Sequence, residues 1–209
     1  MSQLNHTQAE AMEISIFDVP PELPIPLLRE WFNQAIDNRV RDPGTLALAT
    51  TGIDGRASNR MVHLLEITGD SLVFTTHAKS QKGREIAFNG WASGVLYWRE
   101  TKQQIVLSGP IGPLSGAESD LLWTKRPPEA NSMSTVSRQS ALLEDEKALR
   151  LQAQRLTRSA IPLVRPEGWH GYALRPTIVE FWQASDDRLH SRLRYDAAPS
   201  GWTHRRLQP

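Results

Sequence analysis

Cysteine is absent from this sequence of 209 residues. The chain therefore has no disulfide, no thiolate nucleophile and no cysteine-ligated zinc. Its six histidines stand in none of the spacings typical of metal sites, such as HExxH, so we predict no bound metal. A chain without disulfides fits a reducing compartment, and with no signal-peptide pattern in view we expect a cytoplasmic protein.

Long apolar runs and an excess of charge of one sign are also lacking. No apolar run has the length of a transmembrane helix, which predicts no membrane partner. Lys and Arg number 24 against 23 Asp and Glu, so the dense basic face of a nucleic-acid-binding protein is not expected. The sequence contains no Walker phosphate loop and no Rossmann glycine fingerprint, which argues against nucleotide binding of those kinds.

What the sequence does contain is a succession of short apolar segments separated by turn residues. Residues 45–51, 57–66 and 72–76 are predicted to form a meander of three hairpin strands. Tight turns favour antiparallel pairing, and about seven or eight short strands with interspersed helices indicate a small barrel. We predict one domain over residues 25–209, preceded by a flexible arm over residues 1–24.

Helices are predicted between these strands. Apolar residues at helical spacing indicate a helix from Pro26 to about Asn38. The Ser-x-x-Glu spacing at Ser115 is that of a capping box, so a helix begins there. Residues 141–159 are predicted to be helical, whereas the Ser-rich residues 129–140 are predicted to form a loop.

One stretch combines two predicted strands with the start of a helix and carries anion-binding side chains. Ser80 is placed to cap this helix, whose first turn carries Gln81 and Lys82. A helix N-terminus offers free N–H groups and a partial positive charge to an anion. Arg60 and Lys82 add a fork of donors and a point charge, which favours a phosphorylated cofactor. The alternative from these residues alone is a capped helix with surface cations.

A second group of basic side chains lies near the C-terminus. If residues 189–195 form a strand, then Arg188, His190 and Arg192 share one face, because alternate residues of a strand point the same way. Such groups are costly to bury without an anionic partner. Trp182, just upstream, could wall a flat aromatic ligand. The alternative is a strand that faces solvent.

Seven short blocks together resemble the pyridoxamine 5′-phosphate oxidase family of FMN-dependent flavoproteins, in the family's order over roughly residues 25–209. The blocks are residues 60–62, 80–85, 103–104, 137–140, 180–183, 188–192 and 206–209. The resemblance implies a mainly β fold with flanking helices (α+β), built as an antiparallel FMN-binding split β-barrel. It also implies a homodimer with FMN at the interface.

The resemblance further implies the residues of the cofactor site. The phosphate end of FMN would be held by Arg60, Ser80, Gln81 and Lys82. The flavin would be lined from the same subunit by Met61, Val62, His63, Thr75, Thr76 and Gln104. The positions that complete the site, in part from the second subunit, are Gln139, Ser140, Trp182 and Arg192.

The expected substrate pocket departs from that of the vitamin B6 enzymes of this family. In those enzymes a lysine, a tyrosine and a serine help to bind the substrate phosphate, and the matching positions here are Leu65, Leu122 and Ala130. Losing three polar partners would cost a bound phosphate on the order of a few kcal/mol. The retained basic residues are Arg126, Arg188 and His190. This more apolar pocket suits a flat aromatic carboxylate.

Runs over residues 75–85, 91–101, 136–140 and 205–209 are similar to the phenazine-biosynthesis branch of the family. They imply a flavin oxidase that dehydrogenates a dihydro- or hexahydrophenazine carboxylic acid to the aromatic phenazine, with O2 as electron acceptor and H2O2 as product. Arg188 and Arg126 would bind the substrate carboxylate, and His190 would be a proton partner. The alternatives are a pyridoxamine or pyridoxine 5′-phosphate oxidase and a protein that binds flavin or phenazine without turnover.

Overall fold

Alternating burial along the strands shows how the sequence builds the sheet. In β1, Thr45–Thr51, the side chains of Leu46, Leu48 and Thr50 are buried, while the residues between them are partly exposed. This period of two places one face of the strand on the core and turns the other away from it. The computed structural model of the chain describes residues 16–159 and 161–209.

The other elements follow in chain order. The helices are α1 Pro24–Asp37, α2 Gln81–Asn89, α3 Gly116–Thr124, α4 Pro128–Val136 and α5 Glu146–Ser159. The remaining strands are β2 Ala57–His63, β3 Glu66–Thr68, β4 Ser71–His77, β5 Trp91–Trp98, β6 Gln103–Pro113, β7 Trp169–Leu174, β8 Ile178–Gln183, β9 Ser191–Ala198 and β10 Gly201–Arg206. Within the described ranges no helix has the length and apolar composition needed to cross a membrane.

The strands form an antiparallel sheet that curls into a half-barrel. Its main path runs β10-β9-β8-β6-β5-β1-β2, and a branch runs β6-β7-β4-β3. Strand β6 joins the two parts, because residues 103–108 pair with β8 and residues 111–113 pair with β7. The predicted mainly β, antiparallel barrel-like fold with flanking helices is confirmed.

Two hydrophobic clusters support the sheet. In the larger one, Trp31 of α1 meets Phe181 of β8 edge to face, with ring centroids 5.1 Å apart. In the smaller one, Leu122 and Trp123 of α3 pack on Val73 and Trp169 of the branch strands. The smaller cluster fixes the end of α3, where the candidate substrate residue Arg126 follows.

The predicted arm, residues 1–24, lies outside the described residues up to residue 15. From residue 16 the chain contacts the core: Phe17 is buried, and its ring centroid lies 6.3 Å from that of Trp31. Arg206 Nη1 donates to the carbonyl of Phe17 at 2.8 Å, and Tyr195 Oη donates to that of Pro21 at 2.9 Å. These bonds attach residues 17–21 to the C-terminal strands.

The prediction of a loop over residues 129–140 is wrong for its first part, which belongs to α4. Pro128 stands in the first turn, where its fixed φ favours a helix, and Thr135 Oγ1 donates back to the Asn131 carbonyl at 2.9 Å. Ser132 is buried and bonded to Thr157 of α5 at 2.9 Å. Packing against α5 therefore overrides the weak helix propensity of a Ser-rich segment.

The predicted three-stranded meander is also wrong in its third member. Strands β1 and β2 pair as expected, but β4 pairs with β3 and β7. Strand β2 ends at His63, so the predicted strand over residues 57–66 is divided in two. The break lets the chain pass from one part of the sheet to the other. The predicted bounds of β1, residues 45–51, are confirmed.

Gly109 marks the point at which β6 changes partner, and it provides a test of this topology. A Cβ there would overlap the Arg175 carbonyl oxygen and lie 2.8 Å from Pro176 Cα. Backbone atoms cannot move aside cheaply, so we expect Gly109→Ala to lower the free energy of unfolding by at least about 1–3 kcal/mol. Urea denaturation measures this change. The control is Gly112→Ala in the same strand, where a Cβ meets nothing within 4 Å; equal destabilisation by both would contradict the topology.

Candidate active site

The start of α2 is pressed against the end of β4. Ser80 caps the helix as predicted, and its Oγ accepts from the Gly83 N–H at 3.1 Å. A Cβ on Gly83 would lie 2.5 Å from the Ala78 carbonyl oxygen, so this approach requires glycine. Ser80 and Thr76 are both buried, with their hydroxyl oxygens 3.3 Å apart. The predicted phosphate-binding helix start and the predicted threonine are thus brought together.

Lys82 is a buried cation at this helix start. It is 8% exposed, and its Nζ donates to Thr76 Oγ1 at 3.3 Å. Burial lowers the pKa of Lys82, and the nearby charge of Arg60 lowers it further, against an opposing effect of Glu85. A buried ammonium of this kind is stabilised by an anion.

Arg60 is held by a network that the sequence did not predict. Its Nη2 lies 3.0 Å from Glu85 Oε2 and donates to Ser58 Oγ, while its Nη1 donates to Thr50 Oγ1 at 2.5 Å. Burial alone would raise the pKa of Glu85, but hydrogen bonds from Ser58, Thr50, Gln81 and Arg60 outweigh it and lower this pKa to about 2. Glu85 therefore stays ionised and fixes the orientation of Arg60.

The segment that follows α4 lies over the helix start. Gln139 Oε1 accepts from Thr76 Oγ1 at 2.8 Å, and Ser140 Oγ accepts from the Gln81 N–H at 3.1 Å. Both residues therefore reach the site of their own chain. Two cations face one carboxylate here, so the group carries net positive charge and many hydroxyl and amide groups. This chemistry suits a phosphate monoester.

The residues predicted to line the flavin lie on three strands, with Met61, Val62 and His63 on β2, Thr75 and Thr76 on β4, and Gln104 on β6. Val62 packs against the core from β2. Met61, which is 68% exposed, and the exposed His63 lie on the other face of the same strand. Gln104, Trp182 and Arg192 are direct cross-strand neighbours on β6, β8 and β9. Arg192 Nε donates to the buried Glu180 at 2.7 Å, and its Nη1 donates to the Gln208 carbonyl at 3.0 Å. Four strand spacings separate β2 from β8 along the sheet.

The prediction that Arg188, His190 and Arg192 share one strand face is wrong. Strand β9 begins at Ser191, and the preceding residues form a turn in which Arg188 has φ 66°. Asp187 Oδ1 accepts from the Leu189 N–H at 2.9 Å, which stabilises this turn. His190 Nδ1 accepts from the Ser185 N–H at 3.1 Å, and its ring centroid lies 4.9 Å from that of Trp182. The turn thus brings His190 beside Trp182 without a continuous strand.

Arg126 follows α3 and lies beside two tryptophans. Its guanidinium carbon is 4.9 Å from the ring centroid of Trp169 and 5.4 Å from that of Trp123. Burial lowers the pKa of Arg126, and among the described residues no carboxylate forms an ion pair with it. His77 lies opposite Trp169 across the β4–β7 pair. Burial lowers the pKa of His77, followed by the charges of Arg126, Lys82 and His170.

The three apolar positions expected around the substrate differ in their surroundings. Leu65 is 43% exposed and Ala130 is partly exposed on α4, but Leu122 is 6% exposed and packs in the smaller core cluster. A Cβ on Gly171 would lie 2.6 Å from Leu122 Cδ1. Leu122 thus packs α3 against β7.

Sequence reasoning missed Thr50, Ser58, Glu85 and Asn131. The spacing of Gln81 and Glu85 on one helix face was a usable signal, because residues four apart interact. The bonds of Glu85 to Thr50 and Ser58 join separate elements and had no local signal. The described residues contain no group of three or more His, Asp or Glu side chains arranged to hold a metal ion.

Two family models match this chain. The model described as pyridoxamine 5′-phosphate oxidase matches residues 32–159. The model of the pyridoxine 5′-phosphate oxidase C-terminal dimerisation region matches residues 169–209. The second range contains β7 to β10, and thus Trp182, Arg188, His190 and Arg192.

Several named proteins are similar to most of the chain. A dihydrophenazinedicarboxylate synthase from Pseudomonas chlororaphis is 48% identical over 193 residues, which cover 92% of this chain and 87% of that protein. A protein of the same name from Burkholderia lata is 47% identical over 193 residues, which cover 92% of this chain and 91% of that protein. A pyridoxine/pyridoxamine 5′-phosphate oxidase from Mannheimia succiniciproducens is 34% identical, with 89% of each chain covered.

Solved structures are similar as well. The crystal structure of PhzG from Burkholderia lata 383 in complex with tetrahydrophenazine-1-carboxylic acid has a TM-score of 0.91 at 47% identity, covering 93% of this chain and 96% of that one. An FMN-binding protein from Nostoc punctiforme, related to pyridoxamine 5′-phosphate oxidase, has a TM-score of 0.73 at 17% identity, covering 87% and 97%, and shares the fold. The predicted resemblance to the phenazine-biosynthesis branch is confirmed.

Glu85→Gln tests the network around Arg60. A carboxyl whose pKa falls from about 4.3 unfolded to about 2 folded stabilises the fold at neutral pH. That contribution, on the order of 2–3 kcal/mol, is lost as pH falls from about 4.5 towards 2. We expect the variant to be less stable at pH 7 and to lose less stability over that window, as measured by urea denaturation at several pH values.

The matched control is Glu146→Gln, which removes an exposed carboxylate from an ion pair with Arg150. Exposed pairs contribute little, so its stability should stay close to wild type throughout. A Glu85→Gln protein with the wild-type pH dependence would show that Glu85 does not hold its charge as inferred.

Proposed function

Because this chain belongs to the pyridoxamine 5′-phosphate oxidase family, we propose that it is an FMN-dependent oxidase of reduced phenazine carboxylic acids. The chain is an oxidoreductase, and its proposed substrates are dihydro- or hexahydrophenazine carboxylates that become aromatic on dehydrogenation. Two relatives named dihydrophenazinedicarboxylate synthase support this choice at 48% and 47% identity, against 34% for a vitamin B6 oxidase. The PhzG structure in complex with a tetrahydrophenazine carboxylic acid supports it further.

The donor set at the start of α2 supports FMN as the flavin. Arg60 and Lys82 exceed the charge of Glu85 by one, and the buried hydroxyls of Ser80 and Thr76 lie beside them. A phosphate dianion would compensate this charge, whereas a flavin without phosphate would leave Lys82 unpaired. When bound, FMN supplies the acceptor for two electrons from the substrate, and O2 receives them with two protons as H2O2.

The separation of the flavin-lining residues supports a site shared between two subunits. Met61 on β2 and Trp182 on β8 are four strand spacings apart, which is about 19 Å along the sheet. One flavin ring system is shorter than that distance. We therefore assign Met61 and the phosphate end to one subunit, and Trp182 and Arg192 to the other. The C-terminal dimerisation region contains both of the latter residues.

The observation that carries the substrate assignment is the environment of Arg126. Its guanidinium is partly buried over Trp169 and has neutral hydrogen-bond acceptors in place of a carboxylate. A cation in such surroundings is stabilised by an anion from the ligand, and the planar guanidinium fits a planar carboxylate. Arg188, held in its turn near His190, is the second basic group proposed for the substrate.

His190 is proposed to act as a hydrogen-bond donor beside the substrate. Because Nδ1 accepts from the Ser185 N–H, the hydrogen of the neutral imidazole is assigned to Nε2. His190 thus presents an N–H group and is not available as a base through Nδ1. Aromatisation drives the reaction, so the chain need not supply a strong general base.

The proposed reaction predicts which donor reduces the bound flavin. Under anaerobic conditions we expect a reduced phenazine carboxylic acid to bleach the oxidised flavin absorbance of the FMN-loaded protein faster than that of free FMN. Pyridoxamine 5′-phosphate should bleach it little, because Leu65, Leu122 and Ala130 offer its phosphate no polar partner.

Two other outcomes would contradict the proposed reaction. Efficient bleaching by pyridoxamine 5′-phosphate alone would assign the chain to vitamin B6 metabolism. A stable flavin complex that neither donor reduces would indicate a binding protein without turnover. Formation of H2O2 on readmission of air tests the oxidase step.

Lys82→Met tests the phosphate end of the cofactor site. Methionine fills similar space without charge, so we expect the affinity for FMN to fall by about tenfold or more, the equivalent of one charge-assisted bond. The affinity for riboflavin, which lacks the phosphate, should change little. Titrating the apoprotein by flavin fluorescence measures both affinities. Lys79→Met, at an exposed position three residues earlier, is the control; an equal loss for FMN and riboflavin would contradict the assignment.

A further inference from the structure

The hydrogen bonds of Arg126 use one corner of its guanidinium. Nη1 carries two hydrogens, and it donates to Asn131 Oδ1 and to Ser134 Oγ, each at 3.1 Å. Within residues 16–159 and 161–209, neither Nε nor Nη2 has a hydrogen-bond partner in the protein. The Nε–Nη2 edge, which presents two parallel N–H groups, therefore remains for a ligand.

Two tryptophan rings also lie beside the guanidinium. The Trp169 and Trp123 rings lie 4.9 Å and 5.4 Å from its central carbon, and the two rings meet edge to face with centroids 5.0 Å apart. Trp123 Nε1 donates to the Leu163 carbonyl at 2.7 Å, which fixes that ring. With two aromatic rings close to its central carbon and one corner hydrogen-bonded, the guanidinium of Arg126 has little freedom to turn.

Asn131 has a defined amide orientation. Its Nδ2 donates to the Trp123 carbonyl at 3.1 Å, at the end of α3, while its Oδ1 accepts from Arg126. Rotating the amide by half a turn would place NH2 against the guanidinium N–H and oxygen against a carbonyl oxygen, so only one orientation satisfies both contacts. Asn131 thus links the end of α3, the start of α4 and Arg126.

We propose that Asn131 is a positioning residue for the substrate carboxylate. It acts through Arg126: together with Ser134 it occupies Nη1 and directs the Nε–Nη2 edge towards the ligand. Both acceptors are neutral, so the charge of Arg126 remains available to the substrate. An acidic residue at position 131 would instead form an internal ion pair and compete with the carboxylate. This inference rests on the proposed function of Arg126 as a substrate ligand.

Asn131→Asp tests the requirement for a neutral acceptor. The FMN-loaded protein is titrated calorimetrically with two probes, phenazine-1-carboxylate and uncharged phenazine. We expect the variant to bind the carboxylate about 10–100-fold more weakly, as follows from losing one charge-assisted contact, and to bind phenazine as wild type does. With a reduced phenazine carboxylate, KM should rise while kcat stays nearly constant.

Controls separate this role from a structural one. Asn89→Asp adds the same charge at the exposed end of α2 and should leave both affinities unchanged. Asn131→Ala removes both contacts without adding charge and should weaken carboxylate binding less than Asn131→Asp does. If Asn131→Asp does not fold, Asn131→Ala and Ser134→Ala still provide the comparison of the two probes. Equal weakening of both probes by the position 131 variants would overturn the inference.

Arg126→Met distinguishes failure of the inference from failure of the proposed function. If Arg126→Met binds phenazine-1-carboxylate as tightly as wild type, Arg126 is not the carboxylate ligand and both proposals lose their support. If Arg126→Met binds the carboxylate weakly and Asn131→Asp binds it normally, the substrate assignment stands and the role of Asn131 is overturned.

Discussion

Glu85 is the buried carboxylate around which the cofactor end of this molecule is arranged. It receives hydrogen bonds from β1, β2 and its own helix, and its ion pair with Arg60 spans 25 residues of sequence. Removing Glu85 would leave the buried Lys82 and the partly buried Arg60 as two cations close together. With Glu85 ionised, the elements are held in place while one positive charge remains uncompensated. This uncompensated positive charge favours the binding of an anion at the start of α2.

Arg126 repeats this principle at the proposed substrate position by different means. Aromatic rings and neutral acceptors orient the guanidinium and leave its charge unpaired. The pKa of His77 is lowered by both positive groups. Burial is the largest cause, and the charges of Arg126 and Lys82 follow. One anion-binding site is therefore proposed for the cofactor phosphate and another for the substrate carboxylate. Neutral acceptors at the second site distinguish it from the Glu85 network at the first.

The C-terminal strands supply a third group of fixed charges. Glu180 binds Arg192, and Asp196 pairs with both Arg194 and Arg205. These pairs lie on the face of β8 and β9 that also carries Trp182, within the range matched by the dimerisation region. The width of the sheet supports the proposal that a second subunit completes the site, because Met61 and Trp182 of one chain lie four strand spacings apart.

Features that depend on interactions between neighbouring residues were predictable from the sequence. The Ser80 cap, the capping box of Ser115 with Glu118 and the bounds of β1 depend on neighbouring residues, so the sequence alone determined them. The ordered blocks that resemble the family also determined the fold class. Contacts between distant residues were decided by the tertiary structure. The pairing of Arg60 with Glu85, the helical state of the Ser-rich α4 beside α5, and the turn at Arg188 before β9 all depend on packing partners that no local pattern specifies.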